Sequence, residues 1–103
     1  MRKLKITVVK VDFNEELCKE FGDKDIVPCP VHYVGQEMYV IDGKKPDELC
    51  GGAWGSFEKY VFALTHGLDE FQFPGWLGKQ KVAINTCNDG LRPVTFKIEV
   101  CED

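Results

Sequence analysis

The chain contains no apolar run approaching the roughly 20 residues needed to cross a bilayer as a helix, so a transmembrane helix is excluded. It also lacks basic character: 13 Lys and Arg stand against 17 Asp and Glu, a formal net charge of −4. Broad nucleic-acid and anionic-membrane surfaces draw their affinity from clustered cations, so neither partner is expected. The small clusters Arg2-Lys3-Lys5 and Lys44-Lys45 read as solvated faces. No Gly-x-Gly-x-x-Gly or Walker pattern is present, which removes motif support for a nucleotide site. The five cysteines form no Cys-x-x-Cys pair, and their odd number and irregular spacing fit free or metal-bound thiols in a reducing compartment better than a disulfide framework. Met1-Arg2-Lys3 has the charge of a signal-peptide start, but Lys5 and Lys10 interrupt any apolar segment behind it, so a cytoplasmic location is expected. Repeats, linkers and low-complexity segments are missing too.

What is present suits one domain over residues 1–103, long enough to bury a core without a staple. Leu4, Ile6 and Val8 alternate with polar residues as in a half-buried strand, and Val9, Val11 and Phe13 then change parity, which asks for a bulge or burial on both faces. Asn14 can cap a short helix through Phe21 with Leu17, Cys18 and Phe21 inward and Gly22 as its stop. Cys18 then reads as a small buried hydrophobe. Pro28-Cys29-Pro30 is a stiff extended segment. Val31 and Tyr33 against Met38–Ile41, around Gly35-Gln36, predict a hairpin, with Asp42-Gly43 as a second turn. Ala53, Trp54, Phe57, Tyr60, Val61 and Leu64 recur at spacings of three and four and predict the principal core helix, ending near Gly67. Packing accounts for that aromatic face without a cofactor.

Between residues 68 and 78 the chain is irregular and aromatic, and Phe71, Phe73 and Trp76 either fold back on the core or form an apolar contact surface for a partner. Residues 81–87 and 94–101 predict two strands joined by Asn88-Asp89-Gly90-Leu91-Arg92-Pro93, with Val94, Phe96, Ile98 and Val100 inward and Cys101 outward. The fold class is therefore α+β: a small, mostly antiparallel sheet of about five strands, open or curled toward a barrel, against one main helix plus one short helix.

Several of these segments together resemble a family of small, uncharacterised prokaryotic proteins of about 100 residues, frequent in anaerobes. An Ile-Thr-Val start, Cys29-Pro30 followed by Gly35-Gln36-Glu37, Pro46 and Cys50 before Ala53-Trp54, and Cys87-Asn88-Asp89-Gly90-Leu91-Arg92-Pro93-Val94 carry the likeness over nearly the whole chain. The resemblance implies that Cys29, Cys50 and Cys87 belong to the family pattern and that Cys18 and Cys101 are additions of this sequence. Gly51-Gly52 stand where the family more often has a bulky or charged pair, and the second cysteine often found beside Cys87 is absent. The resemblance supplies positions and no mechanism.

Three kinds of chemistry suit these residues, and no catalytic set is identifiable, so a non-enzymatic binding or accessory domain is the expectation. Cys29, Cys50 and Cys87, with His32 as a fourth member, are the right ligand types for zinc or an iron-sulfur cluster, with binding of no cofactor an equal alternative. Cys50 at a helix start, or Cys87 close to Arg92, would instead serve redox or thiol-transfer chemistry, because a helix dipole and a guanidinium both favour the thiolate. Arg92 and the Gly51-Gly52 amides, beside the Asp89 turn, would receive a small anion, unless Arg92 is paired with an internal carboxylate. A small molecule or a protein partner remains unspecified.

Overall fold

The structure, a computed structural model, describes residues 1–71 and 73–103. Its elements run β1 (Lys3–Val11), α1 (Glu15–Phe21), β2 (Glu37–Val40), α2 (Gly51–Thr65), β3 (Val82–Thr86) and β4 (Val94–Glu102). The strands form one antiparallel sheet in the order β2-β1-β4-β3. Alternation sets its two faces: Leu4, Ile6 and Val8 of β1, Met38 and Val40 of β2, Ala83 of β3 and Val94, Phe96 and Ile98 of β4 are buried on one side. The parity change in β1 is a register shift between Val8 and Lys10, which leaves Val9 exposed and returns Val11 to the core side.

The sheet has four strands rather than about five, and it is open, with β2 and β3 at its edges. Val31 and Tyr33 do not form the expected strand; both are exposed. The reason lies in where the turn spends its hydrogen bonds. Gly35 N–H donates to the Val8 carbonyl at 2.8 Å and Val8 N–H to the Gln36 carbonyl at 2.9 Å, so the turn docks on β1 and β2 pairs there instead of with the preceding segment. The Asp42-Gly43 turn is present, with φ of 54° and 72°. Two successive left-handed residues are what a tight hairpin turn requires, and Asp followed by Gly adopts them at least cost.

Helix α2 lies across the buried face, with Ala53, Phe57, Val61 and Leu64 fully inside and Trp54 and Tyr60 half-buried. Phe57 meets Phe96 of the central strand β4 at 5.3 Å between ring centroids. The C-terminal end of α2 is closed by Arg2, whose guanidinium donates to the Leu64 and Leu68 carbonyls and to the carboxylates of Asp69 and Asp103. Those carboxylates raise the guanidinium's already high pKa further, so a fixed positive charge sits where the helix dipole is negative.

The short helix departs from expectation on its inner face. Asn14 caps α1 through Leu17 N–H and Cys18 is buried, but Leu17 and Phe21 are exposed. Cys18 is the buried residue of the helix, and its thiol donates to the Leu91 carbonyl at 3.5 Å. The residue that caps the end of the helix has to be glycine: a Cβ at Gly22 would stand 2.7 Å from the Cys18 carbonyl oxygen.

The aromatic segment after α2 divides between the two expected fates. Phe71 is half-buried against Tyr60 at 5.3 Å, and Trp76 leans on both, whereas Phe73 packs on Trp76 and stays 54% exposed. Among the described residues no helix is long and apolar enough to cross a membrane.

If Phe57 on Phe96 is the main helix-to-sheet contact, Phe57→Ala will lower stability by about 3 to 5 kcal/mol in urea unfolding. A loss below about 1 kcal/mol would mean that α2 is held by something else.

Candidate functional site

The prolines around Cys29 stiffen the chain, and residues 28–34 form neither helix nor strand. Cys29 ends half-buried against the core. His32 goes fully inside, 5% exposed, with its ring edge-on to Phe96 at 5.4 Å. A buried imidazole needs partners for both nitrogens, and it has them. Nδ1 lies 2.8 Å from Gln36 Oε1, and the Cys50 backbone N–H donates to Nε2 at 3.3 Å. Because Nε2 accepts, Nδ1 carries the proton and gives it to Gln36, which fixes one tautomer.

That second bond sets where α2 begins. Cys50 is its N-cap residue, with ψ of 136° and no side-chain capping bond, and Trp54 N–H makes the first intrahelical bond to the Cys50 carbonyl. The amides of Gly51, Gly52 and Ala53 therefore precede any intrahelical acceptor. The first turn carries no acidic residue, and the Cys50 thiol beside it is exposed. A Cβ on Gly51 would enter open space, but one on Gly52 would come within 2.9 Å of Asn88 Oδ1. The side chain of Asn88 thus leans over the helix start. One turn later, Ser56 Oγ donates to the Thr86 carbonyl at 2.8 Å, so α2 and the end of β3 are stitched side by side.

The loop from Asn88 to Pro93 is organised by Asp89. Its carboxylate accepts from Leu91 N–H at 2.9 Å, Arg92 N–H at 3.1 Å and Arg92 Nε at 3.0 Å. These donors, Leu91 N–H foremost, hold the Asp89 carboxyl below its ordinary value of 3.8. Cys87 closes the same loop: its N–H donates to the Val94 carbonyl at 3.0 Å, and its sulfur accepts from Val94 N–H at 3.4 Å. Asn14 N–H on the Leu91 carbonyl and Asp12 N–H on the Pro93 carbonyl seat the start of α1 against this loop.

Of the residues singled out from sequence, His32 and Cys50 are brought into direct contact, and Gly52 meets the residue after Cys87. Arg92 is held by Asp89 as an internal ion pair, so its guanidinium is committed to the turn that the anion reading had left open. Among the described residues no group of three or more His, Cys, Asp or Glu side chains is placed to hold a metal ion. The zinc or iron-sulfur expectation for Cys29, Cys50, Cys87 and His32 thus gains no geometric support, and both ring nitrogens of His32 are already spent. Gln36 and Asn88 were missed, although each stood beside a chosen residue: Gln36 four positions after His32, Asn88 directly after Cys87.

Removing the Asp89 carboxylate would unlace the loop, and Asp89→Ala should cost about 1 to 2 kcal/mol at neutral pH after allowance for its partial exposure. Because the folded state lowers this carboxyl's pKa, its contribution is complete above 3.8 and fades as pH falls through the lowered value. The stability gap between the wild type and Asp89→Ala should therefore close in acid. A gap that stays constant down to the acid limit of folding would show that the charge is not what orders the loop.

Comparison with protein-family models, with curated proteins and with solved structures found no match for this chain.

Proposed function

We propose that this chain is a non-enzymatic binding domain whose ligand site is the start of α2, and that the ligand presents a small anionic group such as phosphate or carboxylate. The observation that carries the reading is the pair of amides of Gly51 and Gly52, which have no acceptor among the described residues, no side-chain cap and no acid in their turn, and are overlooked by the Asn88 side chain. Backbone N–H groups at the positive end of a helix are an anion's natural partners, and glycine lets the anion approach the backbone. The contrast with the other end of α2 supports it, since there Arg2 donates to the Leu64 carbonyl from its guanidinium and to the Thr65 carbonyl from its backbone N–H. Arg92 contributes through Asp89, by fixing the loop that carries Asn88.

Titration with inorganic phosphate at constant ionic strength should shift the amide resonances of Gly51 and Gly52 saturably. Gly52→Ala should weaken binding several-fold, because the added methyl and Asn88 compete for one space, without unfolding the helix, where Ala is favoured over Gly. Shifts scattered over the lysines, or none at all, would dispose of this reading.

The exposed Cys50 thiol beside the same amides favours a second reading, thiol exchange. In that case Cys50 attacks a disulfide such as oxidised glutathione, forming a mixed disulfide and releasing the second sulfur as thiolate. Cys101 is the other exposed thiol and donates to the Lys3 carbonyl at 3.3 Å, which makes it the internal control. Mass spectrometry should find Cys50 modified well before Cys101. Equal or reversed labelling would remove the thiol reading and leave the anion reading untouched.

A further inference from the structure

The two edges of the open sheet are not alike. In an antiparallel ladder, alternate residues turn their N–H and C=O groups toward a given neighbour. On β3 the Lys81 carbonyl accepts from Val100 N–H and Cys87 N–H donates to the Val94 carbonyl, and the register with β4 is continuous between them. Val82, Ile84 and Thr86 therefore turn their backbone groups away from the sheet. Among the described residues these groups meet one partner, Ser56 Oγ, which donates to the Thr86 carbonyl at 2.8 Å and leaves that oxygen a second lone pair.

Edge strands are ordinarily blunted by charge, proline, a bulge or shortness. The β2 edge is blunted: of its four residues Glu37 and Tyr39 point outward, with Lys5 on the Glu37 carboxylate and Lys3 over the Tyr39 ring. The β3 edge has none of these devices. Val82-Ala83-Ile84-Asn85-Thr86 is uncharged, its outward residues are all β-branched, and Ile84 is 39% exposed. A second apolar surface lies on the same side of the molecule. Ser56 ties its flank of α2 to Thr86, and Tyr60, one turn on, carries Phe71 and Trp76 on that flank. Phe73 packs on Trp76, and both rings are more than one-third exposed.

We propose that the β3 edge pairs with the β3 edge of a second copy of this chain, antiparallel about a two-fold axis at Ile84, so that two open sheets become one. The outward groups call for a strand, because a strand presents donors and acceptors at their spacing. The residues call for this same strand. With Ile84 opposite Ile84 of the second copy, Val82 falls opposite Thr86 and Ala83 opposite Asn85, so no charge is opposed or buried. Ile84 exchanges a pair of hydrogen bonds with its own image, and Val82 and Thr86 of each copy do so with each other. A pairing of this length falls short of the roughly 1,000 Å² of a specific interface, and the Phe73 and Trp76 rings beside it supply further apolar area. The dimer is therefore weak, half formed at a concentration on the order of 100 μM. It depends on nothing at the start of α2.

Sedimentation equilibrium from about 10 μM to about 1 mM should show the mass rising from one chain toward two. Amide exchange locates the contact. The Val82, Ile84 and Thr86 amides should exchange quickly in dilute protein and slow several-fold in concentrated protein, whereas Ala83 and Asn85, bonded to β4, stay slow throughout. Ile84→Glu keeps the fold, because its neighbour on β4 is Lys97, but sets two carboxylates against each other on the axis and should weaken the dimer about ten-fold. Ile84→Lys should weaken it similarly, and an equimolar mixture of the two variants should associate again, a rescue that requires residue 84 to face its own image. A chain that stays monomeric at about 1 mM overturns the proposal and leaves the edge to a foreign strand or to none. So do a dimer that survives Ile84→Glu, protection that appears at Glu37 and Tyr39 instead, or charge variants that remain monomeric when mixed.

Discussion

The buried imidazole of His32 is the contact on which the arrangement of this protein turns. It lies edge-on to Phe96 at the middle of the sheet, is oriented by Gln36 at the turn docked on β1, and takes the N–H of Cys50 where α2 begins. Phe96 in turn carries Phe57 from the first half of that helix. Sheet, loop and helix are thereby locked through two neighbouring rings. The consequence for chemistry is indirect but definite. By consuming the Cys50 amide, His32 fixes the entry of the helix, and the Gly51 and Gly52 amides that follow have no acceptor among the described residues.

Seen along its axis, α2 has one closed end and one open end. At the closed end Arg2 supplies both charge and donors to the last carbonyls, and its ties to Asp69 and Asp103 hold it there. At the open end stand the exposed Cys50 thiol, the Asn88 side chain and the His32 ring, and none of them gives the helix a side-chain cap. Helix stability does not require such an imbalance; a single Ser or Asp at the cap would have removed it. Local rules broken without a structural return are where binding is to be sought.

Much of the fold was legible from residue spacing because its signals are local. Leu4, Ile6 and Val8 and the Val94–Val100 alternation announce half-buried strands, the parity change at Val9 announces the bulge, and the aromatic stripe of α2 announces its inner face. The losses came where the outcome depends on a distant partner. Val31 and Tyr33 look like half of a hairpin, but Gly35 and Gln36 bond to Val8 and draw β2 onto β1. Leu17 and Phe21 have helical spacing, yet nothing in the sequence says that of the residues of α1 Cys18 is the one that becomes buried. At the candidate site, cysteines stood out by chemistry, while Gln36 and Asn88, which orient the corner, looked like ordinary polar residues. The Arg92 ambiguity could not be resolved by spacing, because Asp89 is an equally good neighbour for a turn and for an ion pair.

The central claim is that His32 holds Cys50 N–H through Nε2, so that α2 starts with its amides unspent. Long-range proton–nitrogen NMR of the His32 ring reads this directly. The tautomer protonated at Nδ1 is expected, with an unprotonated Nε2 coupled to the Cys50 amide proton. Protonation at Nε2 instead would set two donors against each other at that contact, break the latch and contradict the account.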